Sequence, residues 1–291
     1  MIDEASKACW EARNIAGRTI KGDNFKTRRR VEVPQVQFAT RGGGSEPVKT
    51  RQIVVAGEVF LINPHWQLPW TMPQDEEELA AALADEAVGT VEGALQTLCR
   101  QFYYGRQSDK LGYPGLFEAV DESMILDAKG TAGGDIVTSV WALRFGREGV
   151  GWVYGRDGEF IITDPRKETI IPDPEEPTKT CTGVRQELIV RPGLEVRSTY
   201  SAACLMNLTD EEGCGLTDDF LQDLWTTFPA GKKPDAFLCN KTAIGQLWTS
   251  RRLANSDGKA SRPDNFEGIP IQETDSILNS EAIGGGLPDP A

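Results

Sequence analysis

The 291-residue sequence contains a single histidine, His65. This excludes a multi-histidine metal site and leaves little room for a histidine-based triad. No apolar run approaches the ~20 residues that cross a bilayer. The polar start, Met-Ile-Asp-Glu-Ala-Ser-Lys, does not read as a secretory signal. No two of Cys9, Cys99, Cys181, Cys204, Cys214 and Cys239 form a Cys-x-x-Cys pair, so six reduced thiols in a cytoplasm-like setting are expected rather than a zinc knuckle. Asn207-Leu208-Thr209 and Asn240-Lys241-Thr242 match the glycosylation sequon and, without a secretion signal, read as chance matches.

Catalytic signatures are equally scarce. There is no Gly-x-Ser-x-Gly, His-Glu-x-x-His or phosphate-binding loop. Ser256-Asp257-Gly258-Lys259 matches Ser-x-x-Lys, but it lies in a polar loop without a presenting helix and reads as chance. Gly146 to Gly151 links two strand-like runs, whereas a dinucleotide fingerprint needs a strand followed by a helix, so it reads as a tight turn. His65 reads as a packed or surface residue. No cofactor, metal or enzymatic activity is expected.

What the chain has in excess is acid: 44 Asp+Glu against 31 Lys+Arg, a net charge of −13. That argues against a coat that works by neutralising phosphates. The charge is uneven, +5 over residues 1–51 and −18 over the rest. The basic part includes Arg18, Lys21, Lys26, Arg28, Arg29, Arg30 and Arg41. A basic arm reads either as a nucleic-acid tail or as a segment that docks on an acidic surface, its own or a neighbour's.

Val31 and Val33 alternate with Arg30 and Glu32 up to Pro34, and a glycine-rich stretch, Arg41 to Pro47, follows. Ile53, Val55, Val59 and Leu61 then alternate again, which predicts a long hairpin that must lie on something. Pro73, Asp75 and Glu78 open the strongest helix signal, with Asp75 and Glu78 at capping-box spacing. Leu79, Leu83, Ala87, Val91, Leu95, Leu98 and Phe102 form one stripe, and Gly105 is the expected stop. Such a helix is ~45 Å long. Gly89 and Gly93 in its middle each cost roughly 1 kcal/mol relative to Ala, which a bend, a close backbone contact or simple tolerance could explain.

Strands are expected at 137–145, 151–154 and 160–162, a Pro/Glu-rich loop at 171–183, and two extended runs at 186–190 and 195–208. A helix from Leu216 to Trp225, a strand at 237–240, a helix at 242–252 and a strand at 268–271 follow. The glycine-rich tail from Gly284 is expected to be disordered.

In this order the segments resemble the major capsid proteins of tailed bacteriophages, with the Hong Kong 97-type fold. Thr19-Ile20-Lys21-Gly22 to the Gly42-Gly43-Gly44 tip resembles the arm and extended loop, and residues 75–105 the spine helix. Gly149-Val150-Gly151-Trp152-Val153-Tyr154-Gly155 resembles paired strands of one branch. Residues 188–208 resemble the peripheral domain. Asp235 to Asn240, Gly268-Ile269-Pro270-Ile271 and Thr274-Asp275 resemble the axial domain.

The resemblance implies an α+β fold divided into an N-terminal arm (1–18), an extended loop (19–56), a peripheral domain (57–108 and 136–208) and an axial domain (109–135 and 209–291). It implies an icosahedral virion shell, assembled in the host bacterial cytoplasm, that encloses double-stranded DNA without gripping it tightly. Partners would be other copies in hexamers and pentamers, a separate scaffolding protein, a portal protein and decoration proteins, with no membrane. Under it, Arg18, Lys21, Lys26, Arg28, Arg29, Arg30 and Arg41 are candidate inter-subunit contacts, and Gly89 and Gly93 candidate flexing points of the spine helix. An encapsulin-like compartment shell, a tail or baseplate protein and an α/β enzyme are the alternatives.

Overall fold

The structure, a computed structural model, describes residues 9–32, 34–39, 41–43, 47–70, 76–131, 136–146, 148–158, 160–172, 178–255 and 258–288. Val33, Pro73, Asp75, Ser256 and Asp257, each part of a sequence signal above, lie outside these residues.

A short helix, α1 (Trp10–Asn14), leads to β1 (Gly17–Thr19), then to β2 (Asn24–Glu32) and β3 (Arg51–Glu58), which pair antiparallel as the expected hairpin. After β4 (His65–Pro69) comes the long helix α2 (Glu76–Tyr104). It stops at Gly105, whose φ of 55° lies in the left-handed region. A Cβ at Gly105 would stand 2.1 Å from the backbone nitrogen of Gly115, which precedes the short helix α3 (Leu116–Ala119), so only glycine fits there.

The apolar stripe of α2 serves two cores in succession. Leu79, Leu83, Ala87 and Val91 pack with Trp66, Val184 and Leu188 of a sheet formed by β4, β8 (Phe160–Ile162), β9 (Arg166–Pro172) and β10 (Thr180–Val190). One to two turns further on, Leu98, Phe102, Tyr103 and Tyr104 enter a second cluster with Trp141 and Trp152. The helix is therefore a beam shared by both halves of the body. A Cβ at Gly89 or Gly93 would meet nothing within 4 Å, and both are exposed, so no close backbone contact within the chain requires glycine there.

The largest sheet has six strands in the order β14-β15-β13-β6-β12-β5. These are β5 (Ile125–Asp127), β6 (Val137–Leu143), β12 (Ala202–Thr209), β13 (Ala236–Cys239), β14 (Asn265–Phe266) and β15 (Ile269–Glu273). Both faces of β6 are buried, hence its continuous apolar run rather than an alternating one. Val140 and Ala142 pack with helices α4 (Asp218–Thr226) and α5 (Lys241–Ala254) through Leu221, Leu224, Ile244 and Leu247. Trp141 and Leu143 face the end of α2. A three-stranded sheet places β7 (Val150–Tyr154) between β1, parallel, and β11 (Pro192–Val196), antiparallel.

Three local expectations are corrected. Of the expected loop at 171–183, residues 173–177 lie outside the described residues, and its two flanks are strand: residues 169–172 pair with residues 180–183 of β10, where Thr180 and Thr182 are β-branched. The extended run 195–208 is broken at Ser198, where a Ser198–Ser201 capping box makes one tight turn and sends β12 into a different sheet from β11. Residues 284–288 are tied down: Leu287 packs in the second cluster, and its N–H donates to Gln107 Oε1 at 2.8 Å. The six-stranded sheet joins β6 and β12 to β13 and β15.

Candidate assembly interface

The base of the hairpin has two unlike faces, because paired residues of an antiparallel ladder share a side. Phe25, Thr27 and Arg29 oppose Gly57, Val55 and Ile53 on one face. Phe25 and Thr27 are buried. Phe25 packs with Val59 and Val153, and a Cβ at Gly57 would stand 2.4 Å from its ring. The other face carries Lys26, Arg28 and Arg30 opposite Ala56, Val54 and Gln52. Lys26 and Arg28 are exposed, and Val54 is 59% exposed.

Further along the arm, Phe38 is fully exposed, Val36 is 76% exposed and Val48 52%. Ile53 and Val55 are exposed as well, so the arm and hairpin leave several large apolar side chains uncovered beside free basic ones. Exposed apolar surface beside charge suits an interaction surface.

The candidate arginines separate into two groups. Arg18 donates from Nε to Glu195 Oε2 at 2.7 Å and lies over the Phe25 ring. Arg197 donates to the same carboxylate at 2.8 Å, and the Thr27 hydroxyl donates to Oε1. Burial alone would raise the Glu195 carboxyl; these three donors outweigh it and bring it down to about 2. Arg29 donates to the Ala119 carbonyl at 3.1 Å, and Arg30 pairs with Glu148 at 2.7 Å. Arg18, Arg29 and Arg30 thus hold the hairpin base to its own body. Lys21, Lys26, Arg28 and Arg41 remain exposed. Glu195 escaped the sequence reading, although a charge inside the apolar strand Gly193-Leu194-Glu195-Val196 signals a buried, partnered carboxylate.

No cluster of His, Cys, Asp or Glu among the described residues could hold a metal ion, and His65 is exposed on β4. No described helix is long and apolar enough to cross a membrane. Both sequon asparagines are engaged internally. Asn240 caps α5 by accepting from the Ala243 N–H at 2.9 Å, and Asn207 donates to Asp127 at 2.7 Å.

No protein-family model and no curated protein matches the sequence. The fold does have relatives. It superposes on the structure of bacteriophage Epsilon15 with a TM-score of 0.65 at 17% identity, covering 94% of this chain and 88% of that one. It superposes on the capsid of bacteriophage JBD30 with a TM-score of 0.55 at 10% identity, covering 94% and 92%. The chain therefore has the Hong Kong 97-like fold of tailed-phage capsid proteins. In it the hairpin is the extended loop and α2 the spine helix.

Proposed function

We propose that this chain is the major capsid protein of a tailed bacteriophage, self-assembling into the icosahedral head shell around double-stranded DNA. The observation that carries this reading is the hairpin: it is latched at its base to its own body and leaves Lys26, Arg28, Val54, Phe38 and Val48 exposed in a chain of capsid fold. Apolar contact on a neighbouring subunit supplies affinity, and the free basic side chains set encounter and register against a body that is strongly acidic. Head-to-tail repetition of one such contact closes rings, here hexamers and pentamers. The acidic total also suits a container from which DNA must leave again.

The sheets support a revised division of the body. A peripheral part is built on α2 with β4 and β7 to β11, and an axial part on the six-stranded sheet with α4 and α5. A scaffolding protein, a portal protein and decoration proteins are the partners such a shell would take, in a virion assembled in the host cytoplasm.

Glu32 and Arg51 are partners in register, so a two-residue Asn-Gly turn can replace residues 33–50 without disturbing the hairpin base. The shortened subunit is expected to keep its thermal unfolding transition. Expressed with its neighbouring genes, it is expected to form no closed shells in electron micrographs. Normal DNA-filled particles would sink the role given to the hairpin. Shells of the full-length chain filled with protein would instead favour a compartment shell.

A further inference from the structure

We propose that Cys9 and Cys99 form a redox pair that closes into a disulfide, stapling the N-terminal arm to the long helix when the chain meets a low-molecular-weight disulfide such as oxidised glutathione. Cys9 immediately precedes α1, and Cys99 lies in the last turns of α2. Both are buried free thiols, on elements that pack against one another.

Two further contacts fix the same register. Glu11, two residues after Cys9, accepts from the Tyr103 hydroxyl at 2.6 Å, and Tyr103 lies one helical turn beyond Cys99 on the same face. Ile15 packs in the cluster that contains Leu98 and Phe102. The arm is thus held against the face of α2 that carries Cys99.

The other cysteines have no such neighbour. Cys204 and Cys239 lie on β12 and β13, which flank β6 on opposite sides. Their backbones are two strand spacings apart, about 9–10 Å, beyond the ~7 Å a disulfide can bridge. Cys181 lies on β10 and Cys214 in the turn between β12 and α4, on separate elements.

The chemistry is thiol–disulfide exchange. The Cys99 side chain lowers the Cys9 thiol, which makes Cys9 the first attacker. Local lifting of the five-residue α1 uncovers both thiols. Cys9 loses its proton and attacks one glutathione sulfur; a Cys9–glutathione bond forms, the glutathione S–S bond breaks, and one glutathione thiolate leaves and takes up a proton. Cys99, deprotonated in turn, attacks the Cys9 sulfur and expels the second glutathione. Two protein thiols are oxidised and one glutathione disulfide is reduced to two thiols. The pair would stay open in a reducing cytoplasm and close outside it.

The test is independent of whether the chain builds a shell. The full chain is reduced, equilibrated in buffers of increasing oxidised glutathione, alkylated with N-ethylmaleimide and digested without reduction. The expected product joins peptide 8–13 to the peptide ending at Arg100, with two hydrogens lost and the other four cysteines alkylated. The melting temperature should rise on oxidation, because closing a loop of about 90 residues restricts the unfolded chain. Cys9→Ser should abolish both changes, and Cys204→Ser should leave both intact. Alkylation of both Cys9 and Cys99 at every glutathione ratio overturns the proposal, as does Cys9 bound only to glutathione or to another cysteine.

Discussion

Glu195 and Glu281 show how one residue type is driven in opposite directions by its partners. Glu195, bonded by Arg18, Arg197 and Thr27, has its carboxyl depressed to about 2. Such a group stabilises the fold above the ordinary carboxylate range, and that contribution is lost as pH falls through about 2. Glu195→Gln is expected to lower stability at pH 7 by about 1–3 kcal/mol, the range for hydrogen bonds to a charged group. Arg18 is partly exposed, which favours the lower end. Thermal unfolding at pH 7 and near pH 2 checks this, and the difference between variant and parent should shrink at the acid end.

Glu281 is buried and accepts from the Tyr104 hydroxyl at 2.6 Å and the Ser139 hydroxyl at 2.8 Å. Burial outweighs those bonds and raises its carboxyl to about 7. Its stabilisation is therefore complete below pH ~4.5 and is lost as pH rises through about 7, on the order of 3 kcal/mol over that window. Glu281→Gln, neutral throughout, should flatten that part of the stability profile between pH 5 and 8. An unchanged slope would place the titration elsewhere. Among the 44 Asp and Glu the sequence marks Glu195 only as a charge in an apolar strand, and no sequence signal tells the two carboxyls' states apart, because partners 142 and 177 residues away decide them.

At the scale of elements, the basic residues of β2 separate by partner: Arg29 and Arg30 reach their own body, and Lys26 and Arg28 stay exposed. Lys26→Glu with Arg28→Glu should leave subunit stability within about 0.5 kcal/mol, since both are exposed. The same double variant should impair shell formation, read by sedimentation. Arg18→Glu places a second carboxylate beside buried Glu195 and should destabilise the subunit itself. Alternation along β2 was legible in the sequence, but which of its basic residues find a partner on their own body was not.

The long helix was more legible. Its stripe, length and stop at Gly105 follow from local spacing, and helix contacts repeat every three or four residues. Gly89→Ala and Gly93→Ala should each stabilise the isolated subunit by up to roughly 1 kcal/mol, because an added methyl meets nothing. If the glycines serve bending as the shell expands, the double variant should assemble but expand abnormally in electron micrographs. Normal expansion would mark them as merely tolerated.

At the scale of the molecule, the body is held together by exchange between distant segments. β6 lies between β12 and β13, so residues 137–143, 202–209 and 236–239 form one layer. The Ser198 turn is the point of transfer, with β11 in the small sheet before it and β12 in the large sheet after it. Substituting Ser198 and Ser201 by Ala should remove the capping box and cost about 1 kcal/mol or more, since both are buried. Chemical denaturation would register the loss as a lower midpoint.

The sequence by itself determined the elements whose information is local: the hairpin, the spine helix, most strands, the charge division and the order of segments that carries the capsid resemblance. Only the tertiary structure decided how strands are shared between sheets, which arginines bind their own body, and that α1 packs on the face of α2 that carries Cys99. Periodicity and capping are written within a few residues of one another. Strand partners and buried ion pairs join positions many tens of residues apart, and the packing of cores around α2 selects among them.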